Sequence, residues 1–551
     1  MEFQYRYFGH SKASSDPQQT NLSFAPDSLR PPTFFVADLA QHLAFREAIS
    51  ALHAIVVSDQ RFKPKDRTDY LAWLEQNEQA LLADFLAQKQ QIAEQIQPLQ
   101  HELAELNKKR ARLFDPYYRA QRRYFDYLFK ANKEAWFVLD PVITVHPDQV
   151  FFECFSQDES SYGRLSCNYN AFKNIRELAY GTTNTDYSES LYQEFQKIRD
   201  YRSTRFEIDP SGFAISTTQA DQYIEQKIDL PDSWVRGFLQ VNAALTLPLL
   251  SFELHPMDVH NICFQLRRHK ERIGPRSLRI RLTPHRPVEI IFEPWDTVLA
   301  CPRSEYHGTE THEIRVWGRR RLLVLERLIP LAKRFTVRLL GTGLPSFWVA
   351  DLGDLQFTLG LSGWTANDWS QAGNFDLMAP RAEVDSTTAK RVIDALHQHW
   401  CATSASLAKQ LGLEESLVKS ALAMYAQQGR VLYDTENELY RLRELSRQAL
   451  PLEQLRFSNP REAKARNFQV HGLVTLQHVN EQEGFITVQG DVLDNAKQQR
   501  STIYIDADQR LFKAECSCDF YIHNRLHQGP CEHMLALRMQ FAQQAPKANR
   551  L

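Results

Sequence analysis

Close to its C-terminal end the chain of 551 residues reads Cys516-Ser-Cys518, then twelve residues, then Cys531-Glu-His533. This spacing constrains the local fold more tightly than any other feature. In an extended chain a two-residue step turns both thiols of Cys516 and Cys518 to one side. Pro530 precedes Cys531, and Met534, Leu535, Leu537 and Met539 continue at helical periodicity, which places Cys531 at a helix start and His533 in the first turn. Three thiolates and one imidazole form a tetrahedral Cys₃His set for Zn²⁺, with a net charge of about −1 that a helix N-terminus favours. Four protein donors leave no position for water, so the expectation is one structural zinc ion. The competing view, buried thiols beside a surface histidine, does not explain why three of eight cysteines fall within sixteen residues. His523 and His527 lie in the intervening loop; they are read as exposed or outer residues rather than ligands.

Nothing else in the cysteine pattern suggests metal chemistry. Cys154, Cys167, Cys263, Cys301 and Cys401 are scattered and read as plain buried thiols of a reducing compartment. With 43% hydrophobic and 24% charged residues the chain is of ordinary globular class, and its length implies several domains. A net charge of −2 argues against a protein that coats nucleic acid non-specifically. The N-terminal stretch lacks the apolar run of a signal peptide, and residues 237–254 are broken by Gln240, Asn242 and Pro248, so neither a leader nor a membrane span is expected. The expected location is cytoplasmic.

Periodicity divides the chain into an α+β multidomain series. Residues 1–75 mix strand-like and helical runs as a small α/β or capping region. Residues 76–135 are strongly helical: Phe85, Ile92, Leu99, Leu106 and Leu113 recur every seven residues, and Leu82, Ile96 and Leu103 fill most of a second column. Two such columns make a coiled-coil-like arm, read either as a helical hairpin on its own domain or as a partner-binding arm, with Pro98 kinking or splitting it. Residues 136–225 are β-rich. Residues 226–382 form a basic α/β region, with a helix after Pro231, strands at 277–282 and 288–292, and a basic amphipathic helix expected from about Trp317 to Lys333.

Residues 383–447 show a helix (388–400), then two short helices around Gly412, then two strands around a turn at Asp434–Glu438. This order resembles a winged-helix domain. Its second short helix begins Glu414-Glu415, and Asp434, Glu436 and Glu438 mark the hairpin tip, so phosphate would be repelled there and a protein-contact or spacer role is favoured over DNA reading.

The cysteine–histidine spacing resembles the SWIM zinc finger, whose signature is Cys-x-Cys, a variable spacer, and Cys-x-His. The resemblance runs over about 472–539, with strands at 485–492, 501–506 and 511–514 supplying a β-hairpin and the following segment a helix, in a domain spanning 462–551. The stretch from Arg315 to Leu328 is also similar to bacterial multidomain SWIM proteins. The resemblance implies binding to DNA or to protein and leaves activity open, since such modules accompany helicases, transposases and kinases alike.

Catalytic signatures are missing: no phosphate-loop motif exists, Gly341-Thr-Gly-Leu-Pro-Ser has no lysine, and His312-Glu313 lacks the second histidine of a metalloprotease helix. The chain is therefore expected not to be an enzyme. Eight bases against one acid fall between Arg267 and Arg286, among them Arg267, Arg268 and Lys270. A second group holds Arg315, Arg319, Arg320, Arg321 and Arg327 with Trp317 interleaved. Guanidinium groups suit phosphates and tryptophan suits base stacking, although a solvated helix face balanced by acids has the same composition. The functional expectation is a non-enzymatic zinc-finger adaptor associated with DNA or RNA. The alternative is a protein-interaction scaffold working with a partner such as an ATPase supplied in trans.

Overall fold

The computed structural model describes residues 33–58, 141–184, 195–201, 203–208, 232–270, 277–363, 384–445, 460–482, 485–506 and 511–544, the strands Lys12–Ser15 and Gln19–Phe24, and positions 192, 369, 375 and 378. The coiled-coil-like arm expected at 76–135 lies outside the described residues. Among them no helix is long and apolar enough to cross a membrane.

The largest sheet has eight strands in the order Leu250–Leu254, Arg334–Leu339, Ser346–Asp351, Leu355–Leu361, Ser161–Asn168, Gln149–Phe155, Val142–Val145 and Gly181–Asn184. Its seven strand pairings are antiparallel. The strand Gln149–Phe155 is buried along its whole length, because both faces are covered. On one face Leu52 and Ile55 of the helix His42–Val56 crowd Gly163 beside Cys154. On the other, Trp234 and Phe238 of the helix Asp232–Leu245 meet Phe155 edge-on at 5.5 and 4.7 Å. A two-sided burial replaces the usual alternation by a continuous apolar run.

This sheet corrects the domain boundary expected at 225/226. Strands from both sides of that point pair directly, Leu355–Leu361 against Ser161–Asn168. Local periodicity reports which residues are strand-like and not which strands pair, so a long-range partnership of this kind is invisible to it. The N-terminal segment is likewise drawn in: Phe34–Leu39 pairs with Phe172–Ala179 and Ser203–Ile208 in a five-stranded sheet. A further four-stranded sheet orders Thr297–Glu305, Pro287–Phe292, Ser277–Leu282 and His312–Trp317. The segment after it is a second correction. The expected amphipathic helix from Trp317 is a 3₁₀ helix, Arg319–Arg327, entered through Gly318 at φ 76°.

Residues 384–445 fold as three helices, Ser386–His399, Ser404–Leu411 and Glu415–Gln427, with a three-stranded sheet of Cys401–Ala402, Leu439–Leu442 and Val431–Asp434. Asp385 caps the first helix by accepting from Thr388 N (2.8 Å), and Thr403 caps the second by accepting from Ser406 N (3.1 Å). Gly412 takes the left-handed conformation that ends the second helix. Val392, Leu396, Leu407, Val418, Leu422, Val431 and Leu442 form its core.

The hairpin of this segment is fastened to the large sheet by buried ion pairs. Arg443 Nη1 donates to both Glu153 oxygens (2.8 and 2.9 Å), and Tyr162 Oη donates to Glu153 Oε1 (2.6 Å). Arg441 donates through Nε to Asp434 Oδ2 (2.7 Å) and through Nη1 and Nη2 to the two Asp148 oxygens (2.7 and 2.9 Å). Glu436 pairs with Arg338. The acidic hairpin tip thus contacts the chain's own basic residues.

Glu153 and Arg443 are both almost fully buried, so removing one partner leaves the other charge uncompensated. Glu153→Ala is expected to lower unfolding stability by about 3–5 kcal/mol, read as a shift of the urea midpoint. Burial works to raise the Asp434 carboxyl, but Arg164 and Arg441 overcome it and hold the group at about 2, below its usual 3.8. A depressed carboxylate contributes stability that is present above its unfolded value and lost as pH falls through the folded one. The loss should therefore fall between about pH 4 and 2, and Asp434→Asn should flatten stability against pH across that window.

Candidate metal centre

The finger is built on a four-stranded antiparallel meander, Val474–Gln482, Phe485–Asp494, Lys497–Asp506 and Leu511–Cys516. Alternation is clear on the inner strands: Ser501, Ile503 and Ile505 are buried while Arg500, Thr502 and Tyr504 are not. The buried face receives the helix Glu532–Gln544, whose Leu537 occupies the space that a side chain at Gly490 would need. A second helix, Pro460–Val470, packs on that one.

The two halves of the motif come from the elements that their spacing implies. Cys516 ends the strand Leu511–Cys516, and Ser517 N still donates to Arg500 O (2.9 Å), which keeps the chain in register. Cys518 then caps the short helix Asp519–Asn524, its Sγ accepting from Tyr521 N at 3.4 Å. Gly529, at φ 78°, turns the chain back through Pro530. Cys531 follows, and its carbonyl accepts from Leu535 N (3.2 Å) as the last helix begins. His533 is in the first turn of that helix, as expected.

The three Sγ atoms and one His533 ring nitrogen all lie within 4.8 Å of one another, and all four residues are buried. His533 Nδ1 is 3.9 Å from Cys516 Sγ. Crowded thiols cannot ionise independently. Hydrogen bonds from Cys516 and Cys531 hold Cys518 well below the ordinary thiol range, while the Cys531 thiol, donating to Cys516 and Cys518, is pushed far above it. A divalent cation resolves that conflict by binding every sulfur as thiolate, and the all-sulfur-and-imidazole donor set is the one that zinc prefers. The residues present fit the ion.

His523 and His527 are outside the donor cluster. His523 Nδ1 bonds Asp519 O (2.7 Å), and His527 Nδ1 bonds Gly343 O (3.1 Å). Sequence reasoning missed Asp494, Lys464 and Phe468. Asp494 Oδ2 is 3.3 Å from His533 Nε2, and the Phe468 ring stacks on His533 at 5.6 Å and 15°. Three other donor groupings occur among the described residues: His146 with Asp148 and Cys401, His285 with Glu305 and His307, and Asp494 and Glu532 with the same His533. In the first, both Asp148 oxygens already accept from Arg441. All three residues of the second are exposed.

The two arginine clusters are dispersed by the fold. Arg268 and Lys270 are exposed, and Arg267 is exposed but chelates Glu326 (Nε to Oε2 2.8 Å). Arg279 pairs with Glu293, Asp296 and Glu313, and Arg281 with Glu289 and Glu313. Arg319 and Arg321 are buried, which corrects their expected place at the surface. Arg319 Nη1 donates to Ser277 O (2.7 Å) and to Glu293 O, and Arg321 Nη1 to Ser160 O (3.1 Å). Carbonyls beside the sheets need donors, and the 3₁₀ turn delivers these two guanidinium groups to them. Arg320 is half-buried, and Trp317 is buried.

Comparison with known proteins agrees with the geometry of the finger. The SWIM zinc finger family model matches residues 502–537, which include all four donors. That segment is a SWIM zinc finger. No curated protein matches the chain. Among solved structures, the Proliferating Cellular Nuclear Antigen from Entamoeba histolytica is similar over 60% of this chain and 98% of its own, at 8% identity and a TM-score of 0.33, a level that carries no inference.

Cys518→Ser removes one thiolate and the cap of the helix Asp519–Asn524 together. It is expected to abolish zinc retention and to unfold residues 460–544 selectively, because binding and folding are coupled in small metal sites. Metal analysis paired with hydrogen exchange checks both parts.

Proposed function

We propose that the chain is a non-enzymatic adaptor with one structural zinc per chain, and that it associates with nucleic acid through the outer face of the finger's sheet. One observation carries this reading. Phe485, Tyr504 and Phe512 cluster on that face with ring centroids 5.8–6.3 Å apart, and Lys513 Nζ lies 4.9 Å from the Tyr504 centroid. Arg500 is exposed on the same strand as Tyr504. Aromatic rings flanked by cations suit unpaired bases, whose stacking is worth about 1–3 kcal/mol each. The closed donor set supports recognition rather than catalysis, since a catalytic zinc keeps a position open.

Contact with phosphate falls to Arg268, Lys270, Arg500 and Lys513 in this reading, since Arg319 and Arg321 face inward. Residues 384–445 have the element order of a winged helix, and the hairpin that would be its wing is held by the large sheet. That segment serves as a spacer or internal contact.

A second reading has a specific observation behind it. Asp506, opposite Phe485, and Glu515, opposite Thr502, border the same aromatic face. An acid-rimmed apolar face fits a protein partner. Affinity purification with and without nuclease separates the two. On the nucleic-acid reading, Tyr504→Ala and Phe512→Ala should each weaken retention of a single-stranded oligonucleotide about tenfold, and log K should fall with log salt. Undiminished partners after nuclease, with no oligonucleotide retention, would establish the protein reading instead.

A further inference from the structure

We propose that Asp494 is a positioning residue of the zinc centre: it fixes the His533 ring so that Nδ1 is the ligand nitrogen, and Lys464 holds Asp494 in place. The proposal rests on the zinc reading above and extends it to residues outside the matched segment 502–537.

His533 has two ring nitrogens, and only one can face the thiols. Nδ1 lies 3.9 Å from Cys516 Sγ, and Nε2 lies 3.3 Å from Asp494 Oδ2. A carboxylate oxygen can only accept, so Nε2 carries the hydrogen and Nδ1 keeps its lone pair for the metal. Ligand histidines commonly donate their second N–H to a carboxylate, which sets the tautomer and raises ligand basicity. The Phe468 ring lies nearly parallel against His533 and fixes the plane in which the imidazole can turn.

Asp494 is itself held. Lys464 Nζ donates to Asp494 Oδ2 and to Glu532 Oε1, each at 2.9 Å. Three elements therefore meet at one histidine. The strand Phe485–Asp494 ends on the carboxylate, the helix Pro460–Val470 brings Lys464 and Phe468, and the helix Glu532–Gln544 carries His533 and Glu532. The helix at 460–470 is in this way part of the zinc module, although no ligand comes from it. Its position and that of the ion depend on each other through Lys464, Asp494 and Phe468.

The test is zinc affinity of the full chain by chelator competition, with the visible spectrum of the cobalt-substituted protein as a second readout. Asp494→Ala should bind zinc about 10–100-fold more weakly and shift the cobalt bands. Asp494→Asn keeps an accepting oxygen and should recover part of the affinity. Lys464→Met should lose affinity by less than Asp494→Ala, with no change in the four donors. A purely structural role for Asp494 would lower the melting temperature of the metal-free protein and leave the cobalt spectrum unmoved, which would overturn the proposal. Wild-type affinity in both Asp494→Ala and Lys464→Met would overturn it as well. A wild-type chain that binds no zinc would instead remove the zinc reading on which it stands, so the two failures are distinguishable.

Discussion

In the buried strand pair Gln149–Phe155 and Ser161–Asn168 of the large sheet, Glu153 pairs with Arg443 and accepts from Tyr162, while Arg164, opposite Glu153, meets Asp434. A charge pair in such a place adds little stability over apolar packing, but it is directional and cannot be satisfied by a shifted partner. Arg441, two residues earlier, repeats the arrangement with Asp148 and Asp434. The hairpin that carries both arginines can therefore dock on the sheet in one register. Asn242 strengthens that choice by accepting from Tyr433 N (3.1 Å), which ties the helix covering the sheet to the same hairpin. The placement of residues 384–445 follows from these contacts.

That docking changes how the charged residues of the chain are to be understood. Composition suggests a basic surface near 267–286 and 315–327 and an acidic tip near 434–438. In the fold the acids and bases meet internally: Asp434 with Arg441 and Arg164, Glu436 with Arg338, Glu293 with Arg279 and Arg315. Much of the apparent patterning is complementarity between segments distant in sequence. A recognition surface has to be sought where aromatic and cationic groups remain at the surface, which leads to the outer face of the finger.

Legibility in the sequence followed the range of the interactions involved. Cys516, Cys518, Cys531 and His533 were readable because a ligand set needs fixed residue types at fixed short spacings, and the strand end and helix start are local. The strands at 277–282 and 485–492 and the helices around Gly412 were readable for the same reason, through periodicity and turn chemistry. The pairing of Leu355–Leu361 with Ser161–Asn168 was not, since nothing in either strand names its partner. Arg319 and Arg321 misled because a guanidinium group is as apt to satisfy buried carbonyls as to face phosphate, and the composition of the two cases is identical. Asp494 left no local signal: it is one acid in a turn, and its importance comes only from ending a strand beside a histidine 39 residues away.

The finger then offers a division of labour that the motif alone does not suggest. Its inner face is committed to the helix Glu532–Gln544 and, through His533, to the donor cluster, where a bound ion would fix how strand and helix meet. The outer face carries Phe485, Tyr504 and Phe512 on three neighbouring strands, the last of which ends at the donor Cys516. A one-residue slip of the strand Leu511–Cys516 would turn Phe512 inward, because side chains alternate with a period of two. On the proposed function, a bound zinc would bear on recognition without touching a ligand, by holding the strand Leu511–Cys516 in the register that presents the aromatic face. On this view the accessory helix at 460–470 matters for the same reason: by keying His533 through Asp494 and Phe468, it makes the register depend on residues well outside the four donors.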